Sequence, residues 1–216
     1  MVLCARLSAL ALLVCVSMLT VQVGALAQSG KSSGDWLLRL RGIGVLPDES
    51  SRVNPIGGRV AADDSYVPEL DLSYFVTDNI ALELIAATTR HDMADKGSTI
   101  GDVDLGRVSL LPPTLTLQYH FLPKGRISPY LGAGVNYTLF YDEDAPGGAV
   151  TQISYDDSFG WALQAGVDMQ IADSWWLNLD VKKIYLSTDV SINNGAITAD
   201  VDLDPWVVGL GVGYKF

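Results

Sequence analysis

The stretch that decides the fold closes the chain: WVVGLGVGYKF, residues 206–216. Every even position carries a large apolar side chain, whereas the odd positions carry Val207, three glycines and Lys215. In a helix, at about 100° per residue, this alternation would spread the apolar side chains around the whole cylinder. In an extended strand it collects them on one face. The stretch therefore predicts a β-strand with one bulky apolar face, one nearly bare face and an aromatic end.

The same period of two recurs along the chain. The clearest case is residues 159–171, where every odd position is apolar and the even positions are Gly, Ala, Gln or Asp. Further segments bring the total to about eight predicted strands. They lie at residues 36–40, 70–76, 80–84, 114–121, 131–139 and 175–182.

The connections between these segments are of two kinds that alternate strictly. Short connections lie at residues 77–79, 122–126 and 172–174, and long ones at about 46–65, 90–107, 142–157 and 187–204. An up-and-down antiparallel sheet has this alternation when one end carries tight turns and the other carries loops. With eight strands, both termini lie at the tight-turn end.

Two closed-sheet folds satisfy this pattern. A soluble barrel of the lipocalin type turns its large apolar residues inward, whereas a membrane barrel turns them outward to lipid. The less apolar face decides between them, because its glycines and paired charges suit the narrow interior of an eight-stranded barrel. We therefore predict an all-β fold, an eight-stranded antiparallel up-and-down transmembrane β-barrel with short periplasmic turns and four longer extracellular loops. By parity, the lumen charges are Arg39, Arg41, Glu69, Asp71, Glu83, Asp168, Asp180 and Lys182.

Aromatic residues mark the ends of the apolar faces. Trp175 and Tyr185 lie ten residues apart on one face, and Trp206 and Phe216 do the same. A membrane-spanning strand needs about 9–11 residues, so each pair can place one ring in each interfacial belt. We assign Trp161 to the belt at the loop end. The terminal Tyr214 and Phe216 look like the C-terminal signal that the outer-membrane barrel assembly machinery reads.

The first 27 residues differ from the rest of the chain. Arg6 precedes an apolar run, and Ala25 and Ala27 supply the small residues that a signal peptidase needs, which indicates a cleaved signal peptide. Residues 28–216 then form one barrel domain, and this domain contains no cysteine. The net charge of −11 argues against nucleic acid as a partner.

Seven stretches together resemble the outer-membrane protein W (OmpW) family, including its alkane-uptake barrels. They are DWLLRLRGIGVLPDES (35–50), TDNIALELIAATTRHD (77–92), LPPTLTLQYHF (111–121), PYLGAGVNYTLFYDE (129–143), GWALQAGVD (160–168), LNLDVKKIYLSTDV (177–190) and LDPWVVGLGVGYKF (203–216). The resemblance covers nearly all of the mature chain. It implies the outer membrane of a Gram-negative bacterium, with membrane lipid and lipopolysaccharide as surroundings. It also implies passive uptake of small hydrophobic solutes through a narrow barrel, with lateral exit into the membrane.

Family members have an apolar constriction in the lumen, and the resemblance places part of it at Ile85, which faces inward beside Ala87. The matching position on the seventh strand is Lys182, where some members have tryptophan. This departure argues against a gate that is apolar all round. Pro68 and the pair Pro112–Pro113 lack a ladder donor, which indicates either weak strand pairing and a lateral gap, or the starts of strands near the loops.

The chain carries no convincing catalytic signal. Its two histidines, His91 and His120, have no partners at a spacing that demands catalysis, and no glycine-rich phosphate loop opens a helix. We predict no enzyme activity, no cofactor and no metal site, since the acidic loops fit solvated surface better than a calcium loop. The alternative function is a structural or surface-interaction barrel with a plugged lumen, whose loops contact lipopolysaccharide, phage or host surfaces.

Overall fold

The computed structural model describes residues 30–216, so the predicted signal peptide lies outside the described residues and stays a prediction. Among the described residues, no helix is long and apolar enough to cross a membrane. The strands are β1 Trp36–Leu46, β2 Ser50–Asn54, β3 Arg59–Ala62, β4 Ser65–Phe75, β5 Ile80–Ala86, β6 Thr89–Ser98, β7 Gly101–Leu111, β8 Thr114–His120, β9 Ile127–Asp144, β10 Ile153–Tyr155, β11 Ser158–Gln170, β12 Trp175–Tyr185, β13 Ser187–Ile192, β14 Ile197–Asp202 and β15 Trp206–Lys215.

Eight of these strands form a closed antiparallel barrel in the order β1, β4, β5, β8, β9, β11, β12 and β15. The last strand pairs with the first, from Leu37 opposite Lys215 to Leu46 opposite Trp206. Beyond the ladder, the backbones of Trp36 and Phe216 exchange two hydrogen bonds of 3.0 Å. The predicted eight-stranded up-and-down barrel is confirmed, and its closure leaves β1 and β15 without a free edge.

The long connections contain more regular structure than the sequence predicted. Strands β6 and β7 form a hairpin beyond the barrel wall, and β3 pairs with β6 at its edge. Four further strands form a second sheet in the order β10, β13, β14 and β2. The long connection predicted at about 90–107 is therefore present, and it is folded as a hairpin. The ladder between β6 and β7 has two register shifts, one after Met93 and one after Asp95, and such irregularities hide the period of two.

The two faces of each barrel strand meet different surroundings. The side chains that point out are apolar and exposed, such as Leu210 at 58% and Leu40 at 56%. The side chains that point in are buried, and those in the middle of the barrel are mostly polar or charged, such as Arg39 at 0%. A soluble protein would bury the first set and solvate the second, so the arrangement fits a barrel surrounded by lipid.

The inward glycines bring neighbouring strands and inward side chains close together. A Cβ atom at Gly211 would lie 2.2 Å from the carbonyl oxygen of Leu40 on β1. A Cβ atom at Gly166 would lie 2.4 Å from the Tyr130 hydroxyl, so that glycine makes room for the ring. The bare face of the final strand is therefore a packing requirement of the interior.

This packing predicts unequal effects of two glycine substitutions. Gly211→Ala should destabilise the barrel by about 1–3 kcal/mol, because the added methyl group overpacks the interior. Gly42→Ala is the matched control on the lipid face, where an added Cβ meets nothing within 4 Å. Urea unfolding in detergent micelles, followed by tryptophan fluorescence, measures both. Equal unfolding midpoints for the two variants would contradict the packing argument.

Candidate functional site

The centre of the lumen is filled by ion pairs around Arg39. Its guanidinium lies 2.7 Å from Asp71, 3.2 Å from Glu83 and 3.0 Å from Asp168. The Ser73 hydroxyl accepts a further hydrogen bond of 2.9 Å from Arg39. All four side chains that form the ion pairs are fully buried. Burial of this many charges is tolerated only because each has opposite charges and hydrogen-bond partners at short range.

A second group of ion pairs surrounds Arg41. Its guanidinium lies 2.7 Å from Glu69, 2.9 Å from Asp71 and 3.6 Å from Asp180. The ammonium group of Lys182 lies 3.3 Å from Glu69 and 3.2 Å from Asp180. The structure therefore places all eight charges that parity assigned to the lumen in one connected network.

The network also has members that sequence reasoning missed. Lys31, which precedes β1, turns into the barrel and lies 2.5 Å from Asp168, with Trp176 and Phe75 around its ammonium group. No strand pattern covers this residue, so parity could not assign it. Tyr130 donates a hydrogen bond of 2.6 Å to Asp180. Tyr130 has inward parity on β9, opposite Gly166, so the alternation of the sequence could have assigned it to the lumen. We call the buried charges together the charged floor: Lys31, Arg39, Arg41, Glu69, Asp71, Glu83, Asp168, Asp180 and Lys182.

An apolar cavity, which we call the chamber, lies on the loop side of the charged floor. The volume of the cavity is about 60 Å³, several times the roughly 10–15 Å³ that a cavity needs to hold one water molecule. Ile85, Ala87 and Lys182, the three residues of the predicted gate, all line it. Its apolar lining consists mainly of Ile43, Val45, Ile85, Ala87, Met93, Val108, Leu110, Phe140, Ile184, Leu186, Leu203 and Val207.

The few polar groups of the chamber lie at identifiable places. Glu69 and Lys182 belong to both the chamber and the charged floor, so they mark the boundary between them. His91 also lines the chamber, and its Nδ1 lies 2.7 Å from the carbonyl oxygen of Asp63. Thr89, Thr114 and Thr138 supply the remaining polar lining.

The wall of the chamber has a break in its hydrogen-bond ladder. Ile85 pairs with Thr114 and Thr89 pairs with Leu110, so the register is the same on both sides of the break. Between these pairs, Ala87 lies opposite Pro112, which has no amide hydrogen to donate. We call this place the seam. Pro112–Pro113 directly precede β8, which agrees with the interpretation that they mark the start of a strand. Pro68, in contrast, lies within β4 opposite Gly42.

The aromatic residues assigned to the belts point outward at the two ends of the barrel. At the turn end, Trp175 packs edge-on against Tyr214, and Phe216 stacks on Tyr214. At the loop end, Trp161 stacks on Tyr185 with ring centroids 4.0 Å apart. Trp206 is 45% exposed.

Lys183 is a charged residue on the outward, lipid-facing side of β12. It keeps the outward register, opposite Leu163 and Trp206, so no bulge shifts the strand. Its ammonium group lies 2.9 Å from the carboxylate of Asp48 and 5.0 Å from the centre of the Trp206 ring. The long side chain therefore carries its charge towards the loop end along the lipid face. Within residues 30–216, no group of three or more acidic, histidine or cysteine side chains is arranged to hold a metal ion.

The family follows from a direct match. The model of the OmpW family matches residues 32–216, which is nearly the whole described chain. The chain belongs to the OmpW family. This membership confirms the resemblance seen in the sequence.

Individual OmpW-type relatives support the assignment. The chain is 43% identical over 196 residues to an uncharacterized outer-membrane protein of Sinorhizobium fredii, covering 88% of this chain and 84% of the relative. It is 30% identical over 191 residues to the dibenzothiophene metabolism operon protein PahQ of Pseudomonas aeruginosa, covering 84% and 88%. The crystal structure of the outer membrane protein OprG from Pseudomonas aeruginosa matches with a TM-score of 0.82 at 32% identity, covering 87% of this chain and 98% of that one.

Membership of the OmpW family establishes the cellular location and the general class of the protein. The protein is an outer-membrane β-barrel in a lipid environment, as predicted. OmpW-family barrels are non-enzymatic, so the prediction of no enzyme activity is confirmed. Recognition of Tyr214 and Phe216 by the assembly machinery stays a prediction, as do contacts with lipopolysaccharide.

The charged floor predicts a large stability effect at its centre. Arg39→Met leaves Asp71, Glu83 and Asp168 without their shared cation, and loss of one partner from a buried ion pair costs about 3–5 kcal/mol. Arg90→Met is the control, because Arg90 pairs with Asp144 at 2.9 Å on the exposed surface. Such surface pairs contribute about 0–1 kcal/mol. Urea unfolding of the OmpW-family barrel in micelles measures both, and a similar loss in the two variants would contradict a structural floor.

Proposed function

We propose that this barrel takes up small hydrophobic molecules passively across the outer membrane. A solute enters the chamber from the loop end, is stopped by the charged floor and leaves sideways through the seam into the bilayer. The observation that carries this proposal is the chamber itself, an apolar cavity that ends on buried ion pairs.

The chamber favours apolar solutes for a simple energetic reason. Each methylene group that leaves water for apolar surroundings gains about 0.8 kcal/mol. Ile85 and Ala87 contribute apolar wall here, beside Ile43, Val45 and Ile184. The lining therefore replaces lost hydration without presenting an unpaired charge.

The charged floor opposes passage straight through the barrel. An apolar solute on that route would have to separate Arg41 and Lys182 from their carboxylates. Removing a charge from its partners in a buried site costs several kcal/mol per ion. The lateral route avoids this cost. Ala87 and Pro112, which face each other across the seam, line the chamber, so a solute can reach the seam without crossing the charged floor.

The name of one relative supports this substrate class. PahQ is named for an operon of dibenzothiophene metabolism, and dibenzothiophene is an apolar aromatic molecule. The alternative, a plugged barrel that serves surface contacts, would fit a lumen charged all the way to the loops. The apolar chamber favours uptake instead.

The proposal predicts faster entry of hydrocarbons into cells. A Gram-negative host that lacks a family member of its own, expressing this barrel, should take up a radiolabelled alkane faster than the same host with an empty vector. Barrel abundance in the outer membrane is matched by gel shift of the folded form. Equal initial rates would reject uptake as the function.

Two single substitutions at the seam then test the exit route. The Pro113 carbonyl accepts a hydrogen bond of 3.1 Å from Tyr137 on β9, so the backbone of Pro113 faces β9 and that of Pro112 faces Ala87. Pro112→Ala restores a donor towards Ala87, and we expect it to slow uptake several-fold by closing the seam. Pro113→Ala restores a donor towards β9 and is the matched control. Equal rates in both variants would place the exit elsewhere.

A further inference from the structure

A buried ion pair between Glu69 and Lys182 forms the boundary between the chamber and the charged floor. Glu69 and Lys182 are the charged residues of the chamber lining among the described residues. Both are almost completely buried, at 3% and 2% exposed. A solute with a polar head group that fills the chamber would bring that head group against this pair.

The ammonium group of Lys182 is already occupied. It lies 3.3 Å from Glu69 and 3.2 Å from Asp180, so two carboxylates share one cation. Arg41, the next cation below, lies within 3.6 Å of four carboxylates, those of Glu69, Asp71, Glu83 and Asp180. An incoming anion therefore finds no cation that lacks a partner.

The net charge of the charged floor also disfavours an anionic head group. In the described part of the barrel interior, four buried cations face five buried carboxylates. The cations are Lys31, Arg39, Arg41 and Lys182, and the carboxylates are Glu69, Asp71, Glu83, Asp168 and Asp180. Whether or not the fifth carboxylate carries a proton, the floor offers no net positive charge to an anionic head group. In a buried site, repulsion between like charges is weakly screened.

A neutral head group meets no such repulsion. A hydroxyl or ester group can accept a hydrogen bond from the ammonium of Lys182, and a hydroxyl can also donate one to Glu69. Its hydrocarbon tail would lie along the aliphatic wall of Ile43, Ile85 and Ile184. The chamber thus suits an apolar chain with a neutral polar end.

We propose that Glu69 and Asp180, by holding Lys182 between them, make the barrel a charge filter that admits neutral amphiphiles such as long-chain alcohols and excludes the matching carboxylates. The inference rests on the proposed uptake function and adds the determinant of its selectivity. Lys182 acts here as a neutralised cation and not as an anion receptor.

The test compares two probes of equal chain length, radiolabelled decan-1-ol and decanoate, at pH 8, where the free carboxylic acid is ionised. Initial uptake by cells that express the barrel is corrected for cells with an empty vector. The wild type should accelerate entry of decanol and leave decanoate at the vector level. Acceleration of neither probe would count against the uptake function itself, whereas equal acceleration of both would overturn the filter alone.

A double variant, Glu69→Gln with Asp180→Asn, then frees Lys182 while keeping the shape of the side chains. We expect it to raise decanoate entry to roughly ten times the rate of cells with an empty vector, a modest effect for one charge contact in a buried site. The control, Asp63→Asn with Asp64→Asn, removes two exposed carboxylates outside the chamber and should leave decanoate excluded. Gel shift of the folded form verifies that each variant is a barrel.

A third variant keeps the inference testable if the double variant does not fold. Lys182→Met removes the cation and leaves Glu69 and Asp180 in place, so decanoate should stay excluded. If Lys182→Met admitted decanoate, or if the folded double variant excluded it as the wild type does, the assignment of the filter to these carboxylates would be wrong.

Discussion

The structure depends on the closure of the backbone hydrogen-bond ladder between β1 and β15. In hydrocarbon, an unpaired amide or carbonyl group has no water to satisfy it, so a sheet can cross the membrane only as a ring. Closure of an eight-stranded ring fixes a narrow interior and forces alternate residues inward. Both the charged floor and the chamber are consequences of this ring, because each inward position on a strand must be filled by something small, paired or apolar.

Strand parity explains how much of this could be read from the sequence. Once a strand is recognised, the direction of each side chain is fixed, and Arg39, Glu83 and Asp168 could be assigned to one interior although they are far apart in the chain. The contacts between them could not be derived, since they depend on the stagger between strands. The period of two carries no information about which carboxylate a given arginine reaches.

Other features were hidden from the sequence for distinct physical reasons. The hairpin of β6 and β7 contains bulges and a left-handed Gly106, which interrupt the alternation that identifies a strand. Lys31 lies before the first strand, where no periodicity applies. Lys183 has an outward register, but the position of its charge depends on a flexible chain that reaches Asp48. Side chains that are long, or that lie outside regular strands, therefore escape a parity argument.

Along three of the strands that line the chamber, the inward residues change once from charged to apolar. On β1, Arg39 and Arg41 are followed by Ile43 and Val45. On β5, Glu83 is followed by Ile85, and β12 passes from Asp180 and Lys182 to Ile184. These three strands are separated in sequence but run in the same direction, from the turn end to the loop end, so their apolar ends meet on the loop side. A lysine at the boundary is compatible with an apolar chamber because its charge is directed into the carboxylates of the floor. Lys182 can therefore stand beside Ile43, Ile85 and Ile184 without adding an unpaired charge to the chamber.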